Sequence, residues 1–279
     1  MVDVRPSPIA GQWYEGNAKA LSRSVDEYLE GAKLPELDGE VMAVIAPHAG
    51  HVYSGAVAGY AFAALRHAKR TPDLAAVIAP MHHPYREPLI TTSHEAYWTP
   101  LGEVPVDRDV LNELDSVLMS ELGFGLSSVA RDPEHSLEIE LPFLQRALKS
   151  DWRLLPVMVR AQEPSVSRGL GRALAQVLRD KNFVLVASTD LSHFYNQNAA
   201  LKYDRAMLGA IESFDPEGAF DLERAGKGFA CGLGAVTAVL WAARDLGADR
   251  VEVLRHATSG DVTGDYSSVV GYGAAAVLK

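Results

Sequence analysis

Three continuous apolar runs in this chain each end at a turn that carries histidine. The runs occupy residues 41–46, 74–79 and 183–187. The turns after them carry His48, His51, His82, His83 and His193. A continuous apolar run of this length is typical of a strand buried on both faces of a parallel sheet. Because helical patterns follow at least two runs, we expect one α/β domain over residues 1–279, with a mostly parallel central sheet flanked by helices.

The histidine turns predict a site at one edge of this sheet. Ligands of such sheets bind outside the carboxyl ends of the strands, so five of the nine histidines would collect on one rim. Adjacent side chains of extended backbone point to opposite sides, so at most one of His82 and His83 should reach a shared metal. We interpret the rim as a metal site or a histidine-based catalytic site. The alternative is that each histidine separately caps a turn or lies at the surface.

Other patterns complete the predicted alternation of strands and helices. A helix should run from about His51 to about Lys69, and Asp132-Pro133 is typical of a helix start, with a bend expected near Pro142. The remaining predicted elements are helices near 21–29, 167–178 and 232–246 and strands at 154–159, 251–254 and 269–278.

Cys231 is the single cysteine, so an internal disulfide is excluded. It precedes a predicted helix, and a helix N-terminus lowers the pKa of a thiol, which would make Cys231 a soft metal ligand. The alternative is a small buried apolar residue at a tight turn. Gly232 and Gly234 do not form a dinucleotide-binding loop, because Thr237 stands where the third glycine belongs and no buried strand precedes them.

Two further groups of polar residues are candidates for the same rim. Asp190 and His193 lie three apart after the third run, where they could transfer protons or support a metal ligand. The alternative makes Asp190 an N-cap and His193 a surface residue. His135 and Glu138 would share one face of the helix predicted to begin near residue 132, with His135 in its first turn and Glu140 pointing elsewhere. The alternative is that His135, Glu138 and Glu140 are solvated residues on the surface of a helix.

Composition excludes several classes of function. The formal net charge of −10 argues against a nucleic-acid-binding face, which needs clustered basic residues. The first residues lack the charged and apolar regions of a signal peptide, and no apolar stretch approaches the ~20 residues of a membrane span, so we expect a cytoplasmic protein. Nucleophile-elbow, Walker and H-E-x-x-H motifs are also absent from the sequence.

Taken in order, several motifs resemble those of the Memo family over almost the whole chain. The closest resemblance is to its prokaryotic branch, whose members often accompany a radical-SAM protein. The motifs are Ala10-Gly11-Gln12-Trp13-Tyr14, Ala46-Pro47-His48-Ala49-Gly50, His82-His83, Glu134-His135-Ser136-Leu137-Glu138, Ser188-Thr189-Asp190-Leu191-Ser192-His193, Cys231-Gly232 and Ser259-Gly260-Asp261-Val262-Thr263-Gly264-Asp265.

The resemblance implies a fold like that of the class III extradiol dioxygenases, which hold non-haem Fe(II) with two histidines and a carboxylate. Carried over by position, it implies His48, His82 and Cys231 as metal ligands, with Cys231 where the dioxygenases use their carboxylate. His193, with Asp190 beside it, would be the acid/base residue. His135 would line the same pocket as a third candidate catalytic residue. Iron is the implied metal, with copper or zinc as alternatives.

The function that follows is a metal-dependent, dioxygenase-like oxidoreductase acting on an unknown small molecule, with a radical-SAM protein as the implied partner. A zinc-dependent hydrolase and a non-enzymatic binding module with a vestigial site are the alternatives. Three departures from the family pattern bear on the pocket. His51 replaces a tyrosine and adds a candidate ligand, Met81 replaces a serine, and the proline-isoleucine usual after Cys231-Gly232 is missing. Ring cleavage does not follow from the fold alone.

Overall fold

The computed structural model describes residues 3–68, 70–149 and 151–279. The strands in these ranges are β1 (Val4–Arg5), β2 (Val41–Ala46), β3 (Leu74–Pro80), β4 (Leu89–Thr92), β5 (Ala96–Thr99), β6 (Gly102–Pro105), β7 (Ser127–Val129), β8 (Arg153–Val159), β9 (Phe183–Ser188), β10 (His193–Tyr195), β11 (Arg250–Thr258) and β12 (Val269–Leu278). The α-helices are α1 (Ala18–Gly31), α2 (His51–His67), α3 (Arg108–Leu122), α4 (Leu141–Ala147), α5 (Pro164–Leu178), α6 (Gln197–Glu212), α7 (Pro216–Arg224), α8 (Leu233–Asp245) and α9 (Gly260–Thr263).

One large mixed sheet organises the described part of the chain. Its strands lie in the order β10-β12-β2-β9-β3-β8-β4-β7, and β11 also pairs with β12. The four central strands β2, β9, β3 and β8 are parallel, whereas β12 is antiparallel to β2 and β4 is antiparallel to β8. Strands β1, β5 and β6 form a separate small sheet. The carboxyl ends of the central strands therefore share one edge.

The predicted α/β fold is confirmed, and the three apolar runs form β2, β3 and β9. All six residues of β2 and all six of β9 are buried, because helices cover the sheet. Helix α2 packs against β2 and β12, and α8 packs against the central parallel strands. Helix α2 ends at His67, and Lys69, where its predicted end fell, lies outside the described residues. No helix in the described ranges combines the length and apolar character needed to cross a membrane.

The prediction of a helix that begins at Asp132 is wrong. Residues 132–135 have no regular structure, a 3-10 turn follows at Glu138–Glu140, and Pro142 lies at the start of α4 rather than at a bend. The carboxylate of Asp132 accepts hydrogen bonds from Nε and Nη2 of Arg5 at 2.9 and 2.8 Å. This buried ion pair holds the segment extended, so a distant partner overrides a local helix signal.

Helices α1 and α2 pack closely at Gly59, which has no side chain. A Cβ built on Gly59 would overlap the backbone carbonyl of Tyr28 in α1. We expect Gly59→Ala to lower the free energy of unfolding by about 1–3 kcal/mol, as overpacking does. Gly209→Ala is the matched control, because its Cβ would meet nothing within 4 Å, and it should stabilise α6 by about 0.5–1 kcal/mol. Urea unfolding measures both; equal effects would contradict the packing argument.

Candidate metal centre

The parallel strands deliver the predicted site residues to one edge of the sheet. Ala46, the last residue of β2, pairs with Ser188, the last residue of β9. His48 therefore lies beside the turn that carries Asp190. Strand β3 ends at Pro80, so His82 emerges at the same edge. This arrangement matches the rim expected from the sequence.

Three imidazoles converge there. One ring nitrogen from each of His48, His82 and His135 lies within 4.8 Å of the others, the group among the described residues whose geometry could hold a metal ion. The rings of His82 and His135 stack with centroids 4.9 Å apart and an interplanar angle of 11°. His48 is buried, whereas about a third of the His82 side chain is exposed. The cluster is thus open to solvent on the His82 side.

Glu134 holds two of these imidazoles in place. Its Oε2 accepts the backbone N–H of His82 at 2.6 Å, and its Oε1 lies 2.9 Å from Nδ1 of the same ring. The same Oε1 lies 3.3 Å from Nδ1 of His135. Burial alone would raise the pKa of Glu134, but its hydrogen bonds to His82 and to the Ser136 N–H lower it below its usual range. An ionised Glu134 accepts a hydrogen bond from Nδ1–H of His82, which leaves the lone pair of Nε2 available to a metal.

Cys231 lies against His48. Its Sγ is 3.1 Å from Nε2 of His48, and the backbone N–H of Asp190 donates to Sγ at 3.2 Å. The expected lowering of the thiol pKa is wrong for the metal-free protein: burial and the Asp190 carboxyl raise it. Cys231 precedes Gly232, the N-cap of α8, and so lies outside the first turn of that helix. The thiol therefore keeps its proton, and it donates a hydrogen bond to Nε2 of His48 when the ring proton is on Nδ1.

The hydroxyl of Ser188 fixes the protonation of two neighbours. Its oxygen lies 2.7 Å from the Ser136 carbonyl, 2.8 Å from Glu140 Oε1 and 2.9 Å from His48 Nδ1. A hydroxyl has one proton, and a carbonyl only accepts. All three contacts are hydrogen bonds when Ser188 donates to Ser136 while His48 and Glu140 each donate to Ser188. Nε2 of His48 then has a lone pair directed at the cluster.

Glu140 is the residue that sequence reasoning placed elsewhere. It is fully buried, its second oxygen has no hydrogen-bond partner, and burial raises its pKa well above the usual value. These observations agree with the neutral acid required by the contacts of Ser188. The expectation that Glu140 points away from His135 rested on a helix that does not form.

Asp190 and His193 lie at the same edge but bond to different partners. Oδ1 of Asp190 accepts the backbone N–H of His48 at 2.9 Å, and burial raises the pKa of Asp190 to about 7. Nδ1 of His193 lies 2.9 Å from the Leu191 carbonyl and donates to it, so Nε2 of His193 is the basic atom. Burial lowers the pKa of His193. Asp190 is therefore bonded to the His48 backbone, and His193 is a neutral base near neutral pH.

His51, the added candidate ligand, belongs to the core. Its Nε2 lies 3.1 Å from the Ile139 carbonyl, and its ring packs between Tyr14 and Phe143. Burial lowers the pKa of His51 to about 4. His51 thus contributes to packing beneath the rim rather than to the imidazole cluster.

A cleft of about 500 Å³ adjoins the cluster. Trp13, which lines it, contacts His135 with ring centroids 4.1 Å apart, and Ala49 and Gly50 on its wall directly follow His48. Sequence reasoning did not find this cleft, because its walls come from segments far apart in the chain. The cleft is separated from the imidazole cluster by the Trp13 ring, which touches both.

An α/β fold with a histidine cluster at the carboxyl ends of its parallel strands defines the class of this protein. The family described as Memo-like protein matches residues 5–276. MEMO1 family proteins of Nitrosopumilus maritimus and Methanosarcina mazei are 32% and 34% identical to the chain, covering 97% and 98% of it and 98% of each relative. The chain belongs to the Memo family.

A solved structure supports the fold independently. The uncharacterized protein JW3007 from Escherichia coli K12 aligns with a TM-score of 0.50 and 13% sequence identity, covering 84% of this chain and 99% of that one. Similarity at this level of identity shows a shared fold.

The neutral state of Glu140 predicts a pH-dependent effect of Glu140→Gln. A carboxyl whose pKa is raised by folding contributes stability that is present below its unfolded value, about 4.3, and is lost as pH rises toward the folded value. Glutamine stays neutral and can donate to Ser188. In the metal-free protein, the stability of Glu140→Gln relative to wild type should therefore increase from about pH 4 to pH 8, measured by urea unfolding. Glu87→Gln, at an exposed position, is the control. A stability difference between Glu140→Gln and wild type that stays constant with pH would contradict the neutral state of Glu140.

The ion pairs of Arg5 predict a large loss of stability. Its side chain is 1% exposed and pairs with Asp132 and Glu138. Arg5→Met leaves both acids buried without their cation and should cost about 3–5 kcal/mol. Arg23→Met, which breaks the exposed pair with Glu27, should cost under about 0.5 kcal/mol. Denaturant titration compares them; similar losses would contradict the buried network.

Proposed function

We propose that this Memo family protein is a metal-dependent oxidoreductase whose metal, non-haem iron first and copper second, is held by His48, His82 and Cys231. The observation that supports it is the convergence of three imidazole nitrogens within 4.8 Å, with the Cys231 sulfur 3.1 Å from Nε2 of His48. The substrate is a small molecule that enters through the adjoining cleft.

The chemistry of these side chains suits such a metal. Burial and the neighbouring charges of His135 and His82 lower the pKa of His48 well below its usual value, which keeps it neutral, as a ligand must be. Cys231 would hold such a metal as its thiolate, because a coordinated thiol is deprotonated. Two imidazoles and one thiolate suit iron, copper and zinc, and they leave coordination positions open.

His135 is the competing third ligand. It belongs to the imidazole cluster, and burial lowers its pKa to about 4, so its ring is neutral. In the proposed assignment it lines the site between His82 and Trp13 and contacts substrate. Substitution of Cys231 and of His135 separately distinguishes the two assignments.

Two further residues have supporting roles: His193 transfers protons and Asp190 positions the ligands. His193 accepts a proton at Nε2, because its Nδ1 proton is engaged by the Leu191 carbonyl. Asp190 holds the backbone of His48 and donates its own N–H to the Cys231 sulfur. Bound iron or copper would supply one-electron chemistry and the activation of dioxygen.

Elemental analysis of anaerobically purified protein tests the proposal. Wild type should retain iron or copper near stoichiometry, and Cys231→Ala should lose it, since loss even of an outer-shell partner costs about 10–100-fold in metal affinity. His135→Ala should keep the metal, as should the control His83→Ala, which removes the neighbour of His82. Circular dichroism verifies the fold of each variant.

Each other outcome contradicts a defined part of the proposal. Retention of metal by Cys231→Ala with loss in His135→Ala would make the ligands three histidines. Zinc alone, with activity insensitive to oxygen, would favour a hydrolase that uses a zinc-bound water. Absence of any metal after anaerobic reconstitution would favour a binding module.

A further inference from the structure

The cleft beside the histidine cluster has aromatic walls. Trp13, Tyr53, Phe194 and Tyr272 all line it, and the first three expose 37%, 44% and 77% of their surface. Exposed aromatic side chains gathered around one concavity mark a ligand site more often than a plain surface. Its volume of about 500 Å³ lies within the range of small-molecule pockets.

The backbone at the mouth of the cleft is strained. Phe194 has φ of 64°, a conformation that residues other than glycine rarely adopt, and the pairing of β10 with β12 shifts register between His193 and Tyr195. Strain of this kind collects at functional sites. Its effect here is to place the Phe194 ring at the cleft, 5.6 Å from the ring of His193.

Charge decides which aromatic ligand the cleft accepts. The described residues that line it include no lysine and no arginine, and the one charged side chain among them is that of Asp265. The faces of tryptophan, tyrosine and phenylalanine attract cations. An anionic group in the cleft would meet no positive partner and would face the Asp265 carboxylate.

We infer that this cleft binds a small aromatic molecule that is uncharged or cationic and that it rejects aromatic anions. The inference deepens the proposed function and rests on it in one respect: the bound molecule is a substrate only if the adjoining histidine cluster is the proposed catalytic centre. Binding to the cleft itself does not require the metal. The two proposals can therefore fail separately.

Four probes with the same ring test the inference on the metal-free full chain: benzylamine, benzyl alcohol, benzoate and phenyl phosphate. Titration calorimetry near neutral pH should give a Kd for benzylamine and benzyl alcohol at least about fivefold lower than for benzoate, because benzoate would face the Asp265 carboxylate without a cationic partner. Phenyl phosphate, with the larger negative charge, should bind most weakly.

Variants locate the binding. Phe194→Ala should weaken binding of benzyl alcohol by about tenfold, while Phe194→Leu, which keeps apolar bulk, should restore most of it. Asp265→Asn should reduce the preference for benzylamine over benzoate about threefold or more. Trp98→Ala removes an exposed tryptophan of β5, outside the cleft lining, and should change nothing.

Three outcomes would overturn the inference. Benzoate or phenyl phosphate binding as tightly as benzyl alcohol would refute the charge selection. Absence of binding by all four probes, or binding unchanged in Phe194→Ala, would refute the site. The two proposals are distinguished by a further result. If the probes bind as expected but the protein never retains a redox metal, the inference about the cleft is supported and the oxidoreductase proposal is contradicted.

Discussion

The buried guanidinium of Arg5 is the interaction on which the histidine centre depends. It contacts the carboxylates of Asp132 and Glu138 and the carbonyl oxygens of Asp132 and Glu134. A cation this deeply buried is tolerated only when its donors are satisfied. The segment that satisfies them is the one that carries Glu134 and His135 to the edge of the sheet. Arg5 thus links the start of the chain to the geometry of the site.

The three glutamates of this segment avoid mutual repulsion by having different partners. Glu138 pairs with Arg5, Glu134 accepts hydrogen bonds from the His82 ring and from backbone N–H groups, and Glu140 is neutral beside Ser188. Each carboxyl therefore has a different environment: an ion pair for Glu138, hydrogen-bond donors for Glu134, and the neutral form for Glu140. Burial lowers the pKa of His48 and of His135, so both rings are neutral, and neutral imidazole is the form that binds metals.

The sequence predicts the parts of this structure that depend on local pattern. The apolar runs identify β2, β3 and β9, and the strand-end rule brings His48 and His82 to one edge. The residue pattern makes Cys231 and His135 candidates, and the family resemblance assigns Cys231 to the metal and His135 to the pocket. The helix expected at Asp132 does not form because its carboxylate binds Arg5, 127 residues away. The thiol pKa of Cys231 departs from the helix-end rule because burial and Asp190 outweigh it. Both errors come from partners that lie far apart in the chain.

The donor set, rather than the scaffold, determines the chemistry that this fold can perform. A shared fold at 13% identity does not show which reaction a protein catalyses. The contact between Cys231 and His48 limits the chemistry that is possible. Nδ1 of His48 is fixed by Ser188, so its Nε2 has a single lone pair, which the thiol proton occupies in the metal-free protein. If His48 and Cys231 hold a metal as proposed, Cys231 would bind it as the thiolate. Ionisation of the thiol would then be coupled to metal binding, because burial disfavours the bare thiolate.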